Sequence, residues 1–107
     1  MIQKRILNQD RVRKVGNSFG FIPHRFLSEG YFRVAGQHEL LLYMFLVVAS
    51  DRYGLSYYGG TKICSLLDFT TEEYEGARDR LIARDLIAFD GTIFQLLELP
   101  SRQGSPR

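Results

Sequence analysis

The sequence predicts an α+β fold, with three main helices and a small antiparallel sheet, on three observations. Thr70-x-x-Glu73 has the spacing of a capping box, in which the hydroxyl takes an orphan backbone N–H and the carboxylate reaches back to the cap residue. Tyr74, Ala77 and Leu81 then recur at steps of three and four, which puts them on one face of a helix ending near Arg84 or Asp85. Finally, Leu86-Ile87-Ala88-Phe89 and residues 93–99 read as two strands around Asp90-Gly91, a strong signal for a two-residue type I′ hairpin turn. At 107 residues the chain suits one domain with a core of its own.

Residues 1–10 mix Lys4 and Arg5 with Ile2, Ile6 and Leu7 and admit a short helix, a strand or a loose arm. Arg11-Val12-Arg13-Lys14-Val15 alternates basic and apolar residues, the pattern of a strand with one basic face. Such a face is either a phosphate-contacting arm or a solvated edge whose charges discourage aggregation. Gly16-Asn17-Ser18-Phe19-Gly20 is a turn by composition. Residues 12–23 also resemble the Gly-Asn-Ser-x-Gly core of AbrB-type swapped-hairpin DNA-binding domains, with Pro23 standing about one residue from that family's proline and helical sequence following it. Gly16-x-x-x-Gly20 lacks the Lys-Ser/Thr pair of a phosphate-cradling loop.

Pro23 opens a short helix over residues 23–29, closed by Gly30, with Phe26 and Leu27 facing inward. Gly36 marks the next boundary. From Gln37 to Ser50 the chain has helical length, and residues 40–49 are apolar on every face, so this helix is expected to be buried on nearly all sides. A domain this small rarely encloses a helix completely, so part of the surplus apolar surface is expected either at a subunit interface, which predicts a homodimer, or under the N-terminal segment. Asp51-Arg52-Tyr53-Gly54 turns the chain into a first strand, Leu55-Ser56-Tyr57-Tyr58, which is expected to lie beside the hairpin with at most one tyrosine inward. Thr61 caps a helix through Leu66, and Asp68-Phe69 breaks it before Thr70.

This order, helix, tight turn, helix and hairpin, resembles the winged helix-turn-helix superfamily. Within it the chain is similar to MarR-type regulators and plasmid replication initiators on Tyr74, Ala77, Leu81, Leu86 and Ile87, and the resemblance covers the chain from Gln37 onward. It implies a winged domain over residues 34–100, preceded by a basic extension over 1–33 and followed by a tail, 101–107, whose Ser, Gly, Pro and Arg content reads as disordered. It also implies duplex DNA as partner, with the second helix of the motif in the major groove and Thr71, Glu72, Glu75, Gly76 and Asp79 facing the bases. Winged helices also serve as protein-docking modules, so the resemblance carries the fold further than the function.

Charge is unevenly spread. Residues 1–33 carry +5, residues 34–100 carry −5, and the tail adds +2. Attraction to phosphate must therefore come mainly from the two ends. Glu72, Glu73, Glu75 and Asp79 occupy or flank the surface where Arg, Lys, Asn and Gln normally read bases, and Asp90-Gly91-Thr92 gives the hairpin tip no cation. The residues expected to meet nucleic acid are Lys4, Arg5, Arg11, Arg13, Lys14, Lys62, Thr71, Arg78 and Arg80. The acidic face is alternatively a docking surface for a protein partner. Gly76 fits a close approach either to a bound partner or to the preceding helix, the latter being the plainer reading.

No catalytic constellation assembles, and no cofactor is expected. His24, His38 and Cys64 are scattered without zinc-site spacing, Cys64 reads as a core residue, and the two histidines read as surface or capping residues. One cysteine allows no internal disulfide, the longest apolar run has ten residues where a membrane span needs about 20, and the N-terminus has no apolar signal core. A cytoplasmic protein that neither crosses a membrane nor acts as an enzyme is the expectation.

Overall fold

The computed structural model describes residues 4–14, 16 and 19–100. Its architecture is α+β: five helices, α1 (Arg25–Ser28), α2 (Tyr31–Val34), α3 (Gln37–Ala49), α4 (Gly60–Leu67) and α5 (Thr71–Ala83), with strands β1 (Leu55–Ser56), β2 (Ile87–Phe89) and β3 (Phe94–Leu96). The expected disordered tail and residues 1–3, 15, 17 and 18 lie outside the described residues.

The alternating run at 11–15 does not make a strand in its described part. Arg11 closes a single 3₁₀ turn, Gln9–Arg11, started by Asn8, whose side chain accepts the Asp10 N–H at 3.0 Å, and residues 12–14 are exposed and irregular. Alternation makes a strand only where one face is buried and a neighbour takes the backbone hydrogen bonds; the sheet, ordered β1-β3-β2, offers this segment neither. Residues 19–22 are likewise irregular, so the hairpin implied by the AbrB-like run is not formed there.

The expected helix at 23–29 forms as α1 and is closed by Gly30, whose φ of 82° lies in the left-handed region, and a further one-turn helix, α2, follows it. Phe26 is buried, stacked between Tyr31 and Tyr43 at 5.0 Å from each. Leu27, expected inward, is 70% exposed. A four-residue helix turns only one side chain squarely to the core, and Phe26 has that place.

Gly36 starts α3, and the Glu39 carboxylate accepts its N–H at 3.1 Å. Leu42, Tyr43, Leu46 and Val47 face the core, but Leu41, Met44 and Val48 form an outward stripe, Val48 at 76% exposed. The helix is therefore buried on one face and bare on the other, where burial on nearly all sides was expected.

Helix α4 ends at Asp68, which takes the left-handed conformation (φ 58°) that Asp tolerates better than most residues. Phe69 is buried in the turn, and Thr70 starts α5 with both capping-box bonds made: Thr70 Oγ1 accepts the Glu73 N–H at 3.0 Å, and Glu73 Oε1 accepts the Thr70 N–H at 2.9 Å. Tyr74, Ala77 and Leu81 are buried as the spacing predicts. Close approach of α4 to α5 occurs at Gly60, where a Cβ would lie 2.9 Å from the Tyr74 ring. Gly76, expected at that contact, faces the Arg80 guanidinium instead.

Strand β3 pairs antiparallel with both β2 (Phe89↔Phe94) and β1 (Ser56↔Phe94), so the first strand does lie beside the hairpin. Tyr58 packs on the core edge-on to Phe45, and Tyr57 points to solvent. The hairpin turn differs from the expected one: residues 90–93 form the loop, Gly91 alone of the Asp90-Gly91 pair has positive φ, and Asp90 Oδ1 accepts the N–H groups of Thr92 (2.8 Å) and Ile93 (2.7 Å). The carboxylate replaces the backbone carbonyl as acceptor, which shifts the turn by one residue. One core, running from Phe26 through Leu42, Leu46, Ile63, Leu81, Ile87 and Phe94 to Leu99, joins α1, α3, α4, α5, β2 and β3, with Tyr31 of α2 packed against it. Among the described residues no helix is long and apolar enough to cross a membrane.

Candidate nucleic-acid interface

Because α5 turns Tyr74, Ala77 and Leu81 inward, Thr71, Glu72, Glu75 and Asp79 are exposed along the outer face of its first turns, and Arg80, Ile82 and Ala83 are exposed toward its C-terminal end. The two arginines of this helix leave that face on opposite sides. Arg78 lies over the rings of Tyr74 and Phe89, 5.4 and 5.6 Å from their centroids, and its Nε donates to Asp79 at 3.1 Å. Arg80 bends the other way, donating from Nε to Glu39 Oε1 at 3.0 Å.

Glu39 holds more than Arg80. It is 2% exposed, it accepts Arg84 Nε on its second oxygen at 2.7 Å, and Arg84 also donates to the Val34 carbonyl at 2.9 Å. Burial by itself would raise the Glu39 pKa, but the hydrogen bonds from Arg84, the Gly36 N–H and Arg80, with the charge of Arg84, outweigh it and hold the carboxyl below its ordinary range. The first turn of α3 is thus clamped to the last two turns of α5. This clamp was missed in the sequence, although a signal was there: an acid at the start of an otherwise apolar helix, and two arginines four residues apart that can bracket one carboxylate.

The expected contact residues are therefore not alike. Arg78 and Arg80 are already engaged by aromatic and acidic partners. Lys4, Arg5, Arg11, Arg13 and Lys14 are all exposed and make no ion pair with any described residue. Lys62 is exposed in the first turn of α4, also without an ion pair to a described residue, and Thr71 is exposed at the start of α5. The hairpin tip has no cation, and Asp90 is turned onto its own loop, whose N–H groups at Ile93 and Thr92 hold its carboxyl below the usual range.

His38 sits 3.5 Å from the Glu73 carboxylate with its ring edge-on to Phe69, His24 precedes α1 without a side-chain capping bond, and Cys64 is half-buried with Sγ 3.7 Å from the Thr70 carbonyl. Among the described residues no three His, Cys, Asp or Glu side chains cluster as a metal site requires. No family model, curated protein or solved structure matches the chain.

Proposed function

We propose that the chain is a cytoplasmic winged helix-turn-helix protein that binds duplex DNA, acting as a transcriptional regulator or as an accessory to replication or transposition. The observation that carries this reading is the segregation of cations: those of residues 4–14 are open to solvent and unpaired among described residues, whereas Arg78, Arg80 and Arg84 are held. The capped helix after a tight turn and the antiparallel hairpin support the scaffold. Binding is then driven by phosphate contacts from Lys4, Arg5, Arg11, Arg13, Lys14 and Lys62, with Thr71 at the helix start. Such contacts place the protein on the duplex and specify little sequence.

The bare Leu41, Met44 and Val48 stripe supports a homodimer through α3, since an uncharged strip at steps of three and four is compatible with its own copy. The acidic solvent face of α5 favours a second reading, in which that helix docks a basic protein surface and no DNA is bound.

Fluorescence anisotropy of a labelled random duplex at about 50 and about 200 mM salt tests the first reading. Five phosphates contacted would weaken binding roughly 10²–10³-fold across that range. No binding at the lower salt, or binding that ignores salt, would remove the phosphate-driven reading.

A further inference from the structure

A groove of about 740 Å³ opens between residues 19–25, the turn at 50–54 and the chain after β3, a size in the usual range for small-molecule sites. Three aromatic rings border it with most of their surface in solvent: Phe19, Phe21, at 73% exposed, and Tyr53, at 70%. Large aromatics normally dominate cores, so three left open around one groove require an explanation. Phe19 and Phe21 are held there by Gly20, which approaches the Val47 carbonyl so closely that no Cβ would fit. The segment is seated on the end of α3 with its rings facing out.

Two further features define what would fit. Tyr43, 4% exposed, lines the groove, and its hydroxyl has no hydrogen-bond partner among the described residues. The hydroxyl is not sealed off, since the buried side-chain oxygen left without a partner among the described residues is Ser56 Oγ, so the Tyr43 oxygen is open to a ligand in the groove. At the rim, Arg52 is exposed with its guanidinium 5.6 Å from the Tyr53 ring centroid. Of the other charged groups lining the groove, Asp51 is occupied by the N–H groups of Tyr53 and Leu55, Arg25 is tied to Glu29 and the Pro100 carbonyl, and Glu98 is exposed. Open rings, an unpartnered hydroxyl in the groove wall and a rim cation together suit a flat heteroaromatic ring attached to an anion. Arg11, Arg13 and Lys14, which make no ion pair with a described residue, precede Phe19 in the sequence by five to eight residues and do not themselves line the groove.

We propose that this groove binds unpaired bases of single-stranded DNA, stacking them on Phe21 and Tyr53 and meeting a base edge with the Tyr43 hydroxyl. The inference rests on the DNA-binding reading for its cations and adds to it a site that duplex binding does not use. Stacking of this kind tolerates any base, because each presents a flat π-face.

Anisotropy of a fluorescein-labelled oligo-dT of twelve nucleotides, run beside a duplex of equal length at low salt, tests it. Phe21→Ala and Tyr53→Ala, both at exposed positions, should each weaken oligo-dT binding by about fivefold or more and leave the duplex within about twofold. Tyr43→Phe, which removes only the hydroxyl, should weaken oligo-dT with the circular dichroism spectrum unchanged. Duplex binding without oligo-dT binding, or wild-type oligo-dT affinity in both Phe21→Ala and Tyr53→Ala, overturns the groove proposal while the duplex reading stands. Oligo-dT binding without duplex binding leaves the groove and removes the duplex reading; failure to bind either removes both.

Discussion

The N-terminal segment at 4–14 and the helix α5 both carry arginines expected to meet DNA, yet the fold treats them oppositely. In the segment, no cation is ion-paired with a described residue, the backbone is irregular beyond one 3₁₀ turn, and the cations stay solvated. In α5, every arginine has found a partner: Asp79 with two aromatic rings for Arg78, and Glu39 for Arg80 and Arg84, with Arg84 following at the helix's C-cap. An unpaired surface cation keeps its full charge for a ligand, whereas a cation held by a buried carboxylate must first abandon an interaction the fold depends on. Basic residues are thus divided into those that bind outward and those that hold the protein together, a division that their letters do not show.

The sharpest way to break this contrast is to remove the carboxylate. Glu39→Ala leaves Arg80 and Arg84 without their buried acceptor and should lower stability by about 3 kcal/mol, read from urea unfolding; part of the Arg80 contribution is discounted because that side chain is half-exposed. The milder Glu39→Gln also frees the charge of both arginines. If they are structural cations, duplex affinity should rise in it, and unchanged affinity would show that they lie away from any bound DNA.

Reversing the other region's charge is the complementary experiment. Arg11→Glu, Arg13→Glu and Lys14→Glu together should weaken duplex binding about 100-fold at low salt, equivalent to about 2.7 kcal/mol, with the urea midpoint unaltered. Wild-type affinity in this triple variant would end the proposed role of the segment.

Smaller effects sharpen the picture within α5. Thr70→Ala removes the acceptor for the Glu73 N–H and should cost about 1 kcal/mol, measurable as a lowered thermal midpoint. Gly76→Ala should stabilise the helix by up to about 1 kcal/mol, provided the Arg80 guanidinium, 3.1 Å from the added Cβ, gives way by a few tenths of an ångström. Loss of stability there would mean that Glu39 grips Arg80 too firmly to move.

Acid supplies a test without mutation. Since the folded Glu39 carboxyl titrates below its unfolded counterpart, its contribution is fully present above the ordinary value of 4.5 and is lost as pH falls through the folded value. Urea midpoints measured from pH 6 down to pH 3 should decline in that window, with a shallower decline in Glu39→Gln.

Local chemistry was legible from the letters alone wherever partners lie within a few residues. Thr70-x-x-Glu73 forms its capping box, Asp68-Phe69 ends α4, and the Tyr74, Ala77 and Leu81 face is buried, because hydroxyl, carboxylate and helical period all act inside one or two turns. The hairpin strands were legible for the same reason, although the Asp90 carboxylate moved their turn by one residue. Over residues 11–14 the alternating pattern makes no strand, because alternation describes a face without saying whether anything covers it. The Leu27 orientation, the bare stripe on α3 and the Gly60 contact all depend on which neighbours arrive from elsewhere in the chain.

What the sequence determined by itself, then, is the succession of elements from Gln37 onward and the acidic character of the α5 face, since helix period and capping are local and charge is a property of composition. Tertiary structure alone decided that Glu39 would gather Arg80 and Arg84 across some forty residues, that Arg78 would lie on Tyr74 and Phe89, and that Phe19, Phe21 and Tyr53 would border one groove. Those meetings come from packing one core. A carboxylate is buried only where donors converge on it, and convergence is set by how helices and strands cross, which no local pattern records.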